Sequence, residues 1–187
     1  MTKYARAHDM DSWLRDPRIA ARGFAHRWQS AVAAGNGEDA FIELVEQHLH
    51  PECDVLDLGC GPGDICFRFA ARVPGCSVLG VDGAAAMIRL ANERKSQDLA
   101  CGERVRFIEG LLPGAAIPTA KYAAIISNSL LHLLHDPAVL WKTVARHADP
   151  GTRIYVVDLF RPESSVTARR LVKNYAANEP DVLRRDF

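Results

Sequence analysis

Apolar residues follow two alternating periods along this chain. Five short, nearly continuous apolar runs have the length and β-branched content of strands buried on both faces: Val55–Leu58, Cys76–Asp82, Arg104–Gly110, Lys121–Ser127 and Thr152–Phe160. Between them the apolar positions recur at helical spacing. Ile65, Cys66 and Phe69 predict a helix to about Val73, stopped by Pro74-Gly75. Met87, Leu90 and Ala91 predict a second from Ala84 to about Leu99, and Leu140, Trp141, Val144 and Ala148 a third after Asp136-Pro137. Ala168, Leu171, Val172 and Tyr175 predict a fourth after Arg161-Pro162. Ahead of the first strand, Phe41, Leu44, Val45, His48 and Leu49 form one helical stripe that Pro51 ends. The linker from Leu112 to Pro118 is rich in breakers and predicts no long helix. Five strand–helix alternations predict an α/β fold with a doubly wound parallel sheet in the order 3-2-1-4-5 and helices on both faces.

The first strand runs into the chemistry. Residues 55 to 64 read Val-Leu-Asp-Leu-Gly-Cys-Gly-Pro-Gly-Asp, a strand, a glycine turn and a helix start. Gly59, Gly61 and Gly63 let the backbone turn sharply and let a ligand approach with no Cβ in the way, and Asp64 has the side chain of a helix N-cap. A dinucleotide fingerprint needs a glycine where Asp64 stands; the pattern is instead Asp57-x-Gly59-x-Gly61-x-Gly63. The second strand ends in Asp82, 19 residues after Gly63, where a carboxylate beside the turn can accept two hydrogen bonds from a ribose diol.

With these residues the chain resembles the class I S-adenosylmethionine-dependent methyltransferases over about residues 38 to 160. The resemblance implies a Rossmann-like sheet, S-adenosyl-L-methionine as cofactor, S-adenosyl-L-homocysteine as product and a small-molecule methyl acceptor. It also implies cofactor contacts along Asp57, Gly59, Cys60 and Gly61, at Asp82 and Gly83, at Met87 near the next helix start, and at Gly110 and Leu111. The family places an aspartate after the glycine of the third strand; here that residue is Leu111, so adenine would be held by backbone groups, by packing on Leu111 and Leu112, or by Glu109. The fourth strand runs into Asn128-Ser-Leu-Leu-His-Leu-Leu-His135, similar to a family segment at that point. Asn128 and Ser129 fall at the methionine end. His132, with His135 second, is the general-base candidate, because histidine titrates near neutral pH. The two histidines stand three apart on what reads as a helical segment, and either can instead satisfy backbone carbonyls. No third ligand stands at a spacing that would make them a metal pair.

Composition narrows the partners. The 23 basic residues balance 23 acidic ones, so nothing points to nucleic acid or an anionic membrane. The N-terminus lacks the apolar core of a signal peptide, no apolar run is long enough to span a bilayer, and five cysteines without a CxxC pair read as reduced thiols of a cytoplasmic protein. Residues 1–37 read as an irregular, partly helical leader and a lid candidate; residues 38–187 read as the cofactor-binding core. The family carries two further strands after the fifth. Their absence predicts a truncated C-terminus, or an apolar strand edge covered by residues 163–187 or by a second copy in a homo-oligomer. A non-catalytic S-adenosylmethionine-binding regulator, a nicotinamide-dependent oxidoreductase and an aminopropyl-transfer enzyme share parts of this pattern and stay open at this level.

Overall fold

The computed structural model describes residues 42, 43, 45–98, 100–158 and 163–175. The expected leader, Phe41 and Leu44 of the first stripe, the end of the fifth predicted strand at Leu159 and Phe160, and the C-terminal tail lie outside the described residues. The elements are β1 (Asp54–Leu58), α1 (Asp64–Arg72), β2 (Ser77–Asp82), α2 (Ala85–Gln97), β3 (Val105–Glu109), β4 (Tyr122–Asn128), α3 (Ala138–His147), β5 (Arg153–Val157) and α4 (Ser165–Tyr175). Short 3-10 turns at Gly102–Arg104 and Leu131–Leu133 join them.

All neighbouring strands run parallel in the order β3-β2-β1-β4-β5, as the alternation predicts. Side chains of successive strand residues point to opposite faces, so β1 feeds two cores. Val55 joins Val78, Val105, Ala124, Phe69 and Ile88 on the face covered by α1 and α2. Leu56 and Leu58 join Leu79, Val81, Ile125, Leu140 and Val144 on the face covered by α3. The strands are apolar almost throughout because each is buried from both sides.

Two helix faces and one helix start differ from the sequence reading. Ile42, off the predicted stripe, is fully buried beside Val45, while His48 sits at the rim with its Nδ1 3.0 Å from the Tyr155 hydroxyl. On α3, Thr143 is buried where Trp141 was expected, and Trp141 is 48% exposed. Thr143 tolerates burial because its hydroxyl donates to the Val139 carbonyl one turn back. The helix start at α1 also shifts: Gly63, not Asp64, is the N-cap, and Asp64 is the first helical residue. The turn demands a left-handed backbone at Gly63, so no side-chain cap forms there. Asp64 then favours the positive end of α1 and pairs with Arg94 of α2, whose guanidinium lies 4.5 Å above the Phe67 ring. At the start of α3 the N-cap is Pro137, and Asp136 stands one residue before it, its carboxylate accepting the Ala138 N–H at 2.9 Å.

This topology positions the site. β1 lies between β2 and β4, and connections leave it toward opposite faces, so a crevice opens at the carboxyl ends of β1 and β4. Registers Leu58 with Val81, Asp82 with Glu109 and Asn128 with Val157 bring those strand ends into one row. At the far edge, Ile154 and Val157 of β5 are 46% and 47% exposed.

Candidate functional site

The glycine turn is built from positive backbone angles: φ is 80° at Gly59, 53° at Gly61 and 84° at Gly63. Gly59 and Cys60 both donate their N–H to the Val81 carbonyl, at 2.8 and 3.1 Å, which ties the turn to the end of β2. Two glycines are also required by space. A Cβ at Gly59 would lie 2.8 Å from Leu130 Cβ, and one at Gly63 would lie 2.6 Å from Phe107 Cζ. The segment after β4 therefore rests directly on the turn after β1.

Asp82 ends β2 and braces the turn. One carboxylate oxygen accepts the Gly61 N–H at 2.9 Å, and the other accepts the Ala84 N–H at 2.8 Å. Burial raises the Asp82 carboxyl above its ordinary range, and these two bonds oppose that shift. Each oxygen, having accepted one backbone bond, keeps capacity for another. Beside it, Leu111 is 60% exposed and lies across Gly83: a Cβ on Gly83 would sit 2.5 Å from Leu111 Cδ2. Met87 is buried near the start of α2, and the Gly110 N–H donates to the Asp82 carbonyl at 2.9 Å. Glu109 is exposed at the end of β3.

Asp57 lies beneath the turn and is 1% exposed. Its Oδ2 accepts the Cys66 thiol of α1 at 3.2 Å. Burial pushes its carboxyl up to about 7; the Cys66 bond opposes this and nearby Asp82 adds to it. Cys60 is buried, and burial pushes its thiol up to about 11, so it stands as a small neutral side chain in the turn and not as a thiolate.

The β4 exit carries the remaining candidates. Asn128 is half-buried, and its Oδ1 accepts the Ser129 hydroxyl at 3.2 Å. Ser129 adopts φ 60° and donates its N–H to the Val157 carbonyl, which locks the exit of β4 to the end of β5. The expected helical segment with two histidines on one face does not form. Only the 3-10 turn Leu131–Leu133 is present, and His135 stands outside it, exposed. His132 has a partner that sequence reading missed: its Nδ1 lies 2.6 Å from Oδ1 of Asp158, just beyond β5. The only available signal was the position of Asp158 at the carboxyl end of a predicted strand, in the row where ligands bind α/β sheets. Among the described residues, no three histidine, cysteine or acidic side chains gather as a metal site.

A shallow groove of about 540 Å³ also runs along the outer face of α2 between Ala85, Asn92 and Glu109. It reaches the strand-end row only at Glu109 and brings together no chemistry like that at Asp82, so the crevice is the candidate site.

A glycine turn tied to a strand-ending carboxylate, in a 3-2-1-4-5 sheet, defines a nucleoside-binding α/β protein of the methyltransferase type. Residues 55–151 match the methyltransferase domain family, and the chain belongs to the class I S-adenosylmethionine-dependent methyltransferases. It is 35% identical over 108 residues to trans-aconitate 2-methyltransferase of Azoarcus sp. (strain BH72), covering 58% of this chain and 40% of that one. It is 31% identical over 163 residues to arsenite methyltransferase of Aquipseudomonas alcaligenes, covering 82% of this chain and 43% of that one. Among solved structures it resembles a Geobacter sulfurreducens SAM-dependent methyltransferase in complex with S-adenosyl-L-homocysteine, with a TM-score of 0.58, 23% identity and coverage of 75% and 56%. It also resembles the plantazolicin methyltransferase BpumL in complex with SAH, with a TM-score of 0.68, 18% identity and coverage of 94% and 65%. The chain spans about two fifths of the length of these two curated relatives. No helix among the described residues is long and apolar enough to cross a membrane.

Proposed function

We propose that this chain transfers the methyl group of S-adenosylmethionine to a small-molecule acceptor. The observation that carries the reading is the Asp82 carboxylate, held by the Gly61 and Ala84 N–H groups beside an open glycine turn. A carboxylate at the end of β2 with acceptor capacity left on each oxygen suits a vicinal ribose diol. The family match and two relatives named for small acceptors, trans-aconitate and arsenite, support the same reading. The residues present fit the cofactor. Gly59 and Gly61 admit it against the backbone, and Asp82 orients its ribose. Gly83, Met87, Gly110 and Leu111 flank the adenine, with apolar packing from Leu111 where the family has a carboxylate. Asp57, Asn128 and Ser129 serve the methionine end.

S-adenosylmethionine supplies a methyl group already activated by its sulfonium, so the protein's task is alignment. The residues above orient the methyl, and the β4 exit presents the acceptor to it, with His132 placed to take a proton; exposed His135 is the second candidate. Isothermal titration with S-adenosylhomocysteine tests the site. Asp82→Ala is expected to weaken binding by about 1–3 kcal/mol, roughly 5- to 150-fold, through loss of two ribose hydrogen bonds. Unchanged affinity removes Asp82 from the site. Incubation with labelled S-adenosylmethionine and a cell extract separates an enzyme from a silent binder: a labelled product is expected, and binding without transfer rejects catalysis.

A further inference from the structure

The contact between His132 and Asp158 joins two strand exits 26 residues apart in sequence. Asp158 is nearly buried, with its side chain 11% exposed, and His132 retains 32% exposure. Asp158 does two jobs at once. Its Oδ2 accepts the Leu131 N–H at 2.5 Å and the His132 N–H at 3.4 Å, which pins the 3-10 turn against β5. Its Oδ1 then meets the His132 ring at Nδ1. A carboxylate is an acceptor only, so Nδ1 is the nitrogen that carries the proton. Nε2 is left as the ring nitrogen with a lone pair. The same turn reaches the cofactor site, because Leu130, two residues before His132, lies against Gly59.

We propose that Asp158 is a positioning residue that holds His132 as a proton acceptor, and that the methyl acceptor is a hydroxyl or thiol and not a carboxylate. This rests on the methyltransferase reading above. A carboxylate nucleophile is already ionised and needs no base; a hydroxyl or thiol must lose a proton as it attacks. In the step, Nε2 takes the proton of the O–H or S–H. The electron pair freed at that oxygen or sulfur forms the new bond to the methyl carbon. The carbon–sulfonium bond breaks with its pair going to sulfur, which leaves S-adenosylhomocysteine as a neutral thioether. The imidazolium afterwards returns its proton to solvent.

The test is long-range proton–nitrogen NMR on the full chain labelled with ¹⁵N-histidine, with the His132 signals identified by their loss in His132→Gln. At pH 8 the wild type is expected to carry its proton on Nδ1, the minority tautomer of an unconstrained imidazole. Asp158→Asn keeps an oxygen for the Leu131 N–H but offers an amide donor to Nδ1, so the proton is expected to move to Nε2. S-adenosylhomocysteine affinity is expected to stay within about twofold. A wild-type His132 protonated on Nε2, or a tautomer that Asp158→Asn does not move, overturns the proposal. Failure of the wild type to bind S-adenosylhomocysteine instead overturns the methyltransferase reading. The labelled product from extract is expected to be a methyl ether or thioether, stable to mild alkali, and transfer about 100-fold slower in Asp158→Asn. An alkali-labile methyl ester rejects the acceptor class.

Discussion

Asp57→Asn is expected to make the protein more stable at pH 8 than the wild type while weakening its hold on S-adenosylmethionine. Asp57 is buried with the Cys66 thiol as its hydrogen-bond donor, and burial raises its carboxyl from 3.8 to about 7. Below pH 3.8 the carboxyl is protonated whether the chain is folded or not, and it has no effect on stability. Between 3.8 and about 7 the folded chain keeps a proton that the unfolded chain has lost, so stability falls as pH rises. Above about 7 the penalty is complete, on the order of 4 kcal/mol from a gap of about three pH units at roughly 1.4 kcal/mol each. Asparagine has the same shape and does not titrate. Urea melts at several pH values measure the difference: the stability of the variant relative to wild type is expected to grow by roughly 3 kcal/mol between pH 5 and 8. Parallel curves would show that Asp57 does not titrate as its burial dictates.

The same carboxyl explains why such a costly group sits there. A cation brought near it favours the ionised form, and the methionine ammonium and the sulfonium of the cofactor are cations. Cofactor affinity of the wild type is therefore expected to rise as pH increases through about 7, and that rise is expected to vanish in Asp57→Asn. Stability given up in the protein alone is then expected to be recovered on binding.

The second large effect is expected at Gly63. Alanine there meets two independent obstacles. The backbone sits at φ 84°, which costs a side-chain-bearing residue roughly 1–2 kcal/mol. The added Cβ would also lie 2.6 Å from Phe107 Cζ and 3.2 Å from Phe67 Cε2. Phe107 has little freedom to retreat, because its ring is already packed on Phe67 at 5.6 Å between centroids and faces Gly80 on its other side. Such overpacking adds about 1–3 kcal/mol. Gly63→Ala is thus expected to destabilise by about 3 kcal/mol, a fall in the melting midpoint of roughly 6–12 °C for a domain of this size. Gly80→Ala is the comparison. Its Cβ would sit 2.7 Å from Cys60 Sγ and 2.8 Å from Phe107 Cδ1, but without a left-handed backbone, so a smaller loss is expected. Equal midpoints for the two variants would mean that backbone conformation contributes nothing at the turn.

Much of this molecule is written locally. Each strand is a short apolar run and each helix an apolar stripe, with Pro74-Gly75, Asp136-Pro137 and Asp149-Pro150-Gly151 marking the breaks. Those signals depend only on neighbours a few residues away, so all five strands and their order were legible. The turn was legible for the same reason, since the spacing of Gly59, Gly61 and Gly63 answers a backbone requirement within the segment itself. Local signals failed where a side chain's environment came from elsewhere. Trp141 matches the α3 stripe and yet is exposed, because Leu140, Thr143 and Val144 meet the sheet instead.

The site divides along the same line. Asp57 and Asp82 could be picked out from the sequence because each stands at a set distance from the glycines. That Asp57 is sealed against Cys66, and that Asp82 is already braced by Gly61 and Ala84, depended on how α1 and β2 pack around β1. Asp158 was marked in the sequence only by its place near the end of the fifth predicted strand. It gains its partner because the parallel pairing of β4 with β5 sets the two strand exits side by side, carboxylate against imidazole. The chain's local code decides which elements exist and where the backbone can turn. Burial and pairing across the sheet, set by contacts between residues far apart in sequence, decide which carboxylates are charged, which nitrogen of His132 holds the proton, and so what chemistry the crevice can do.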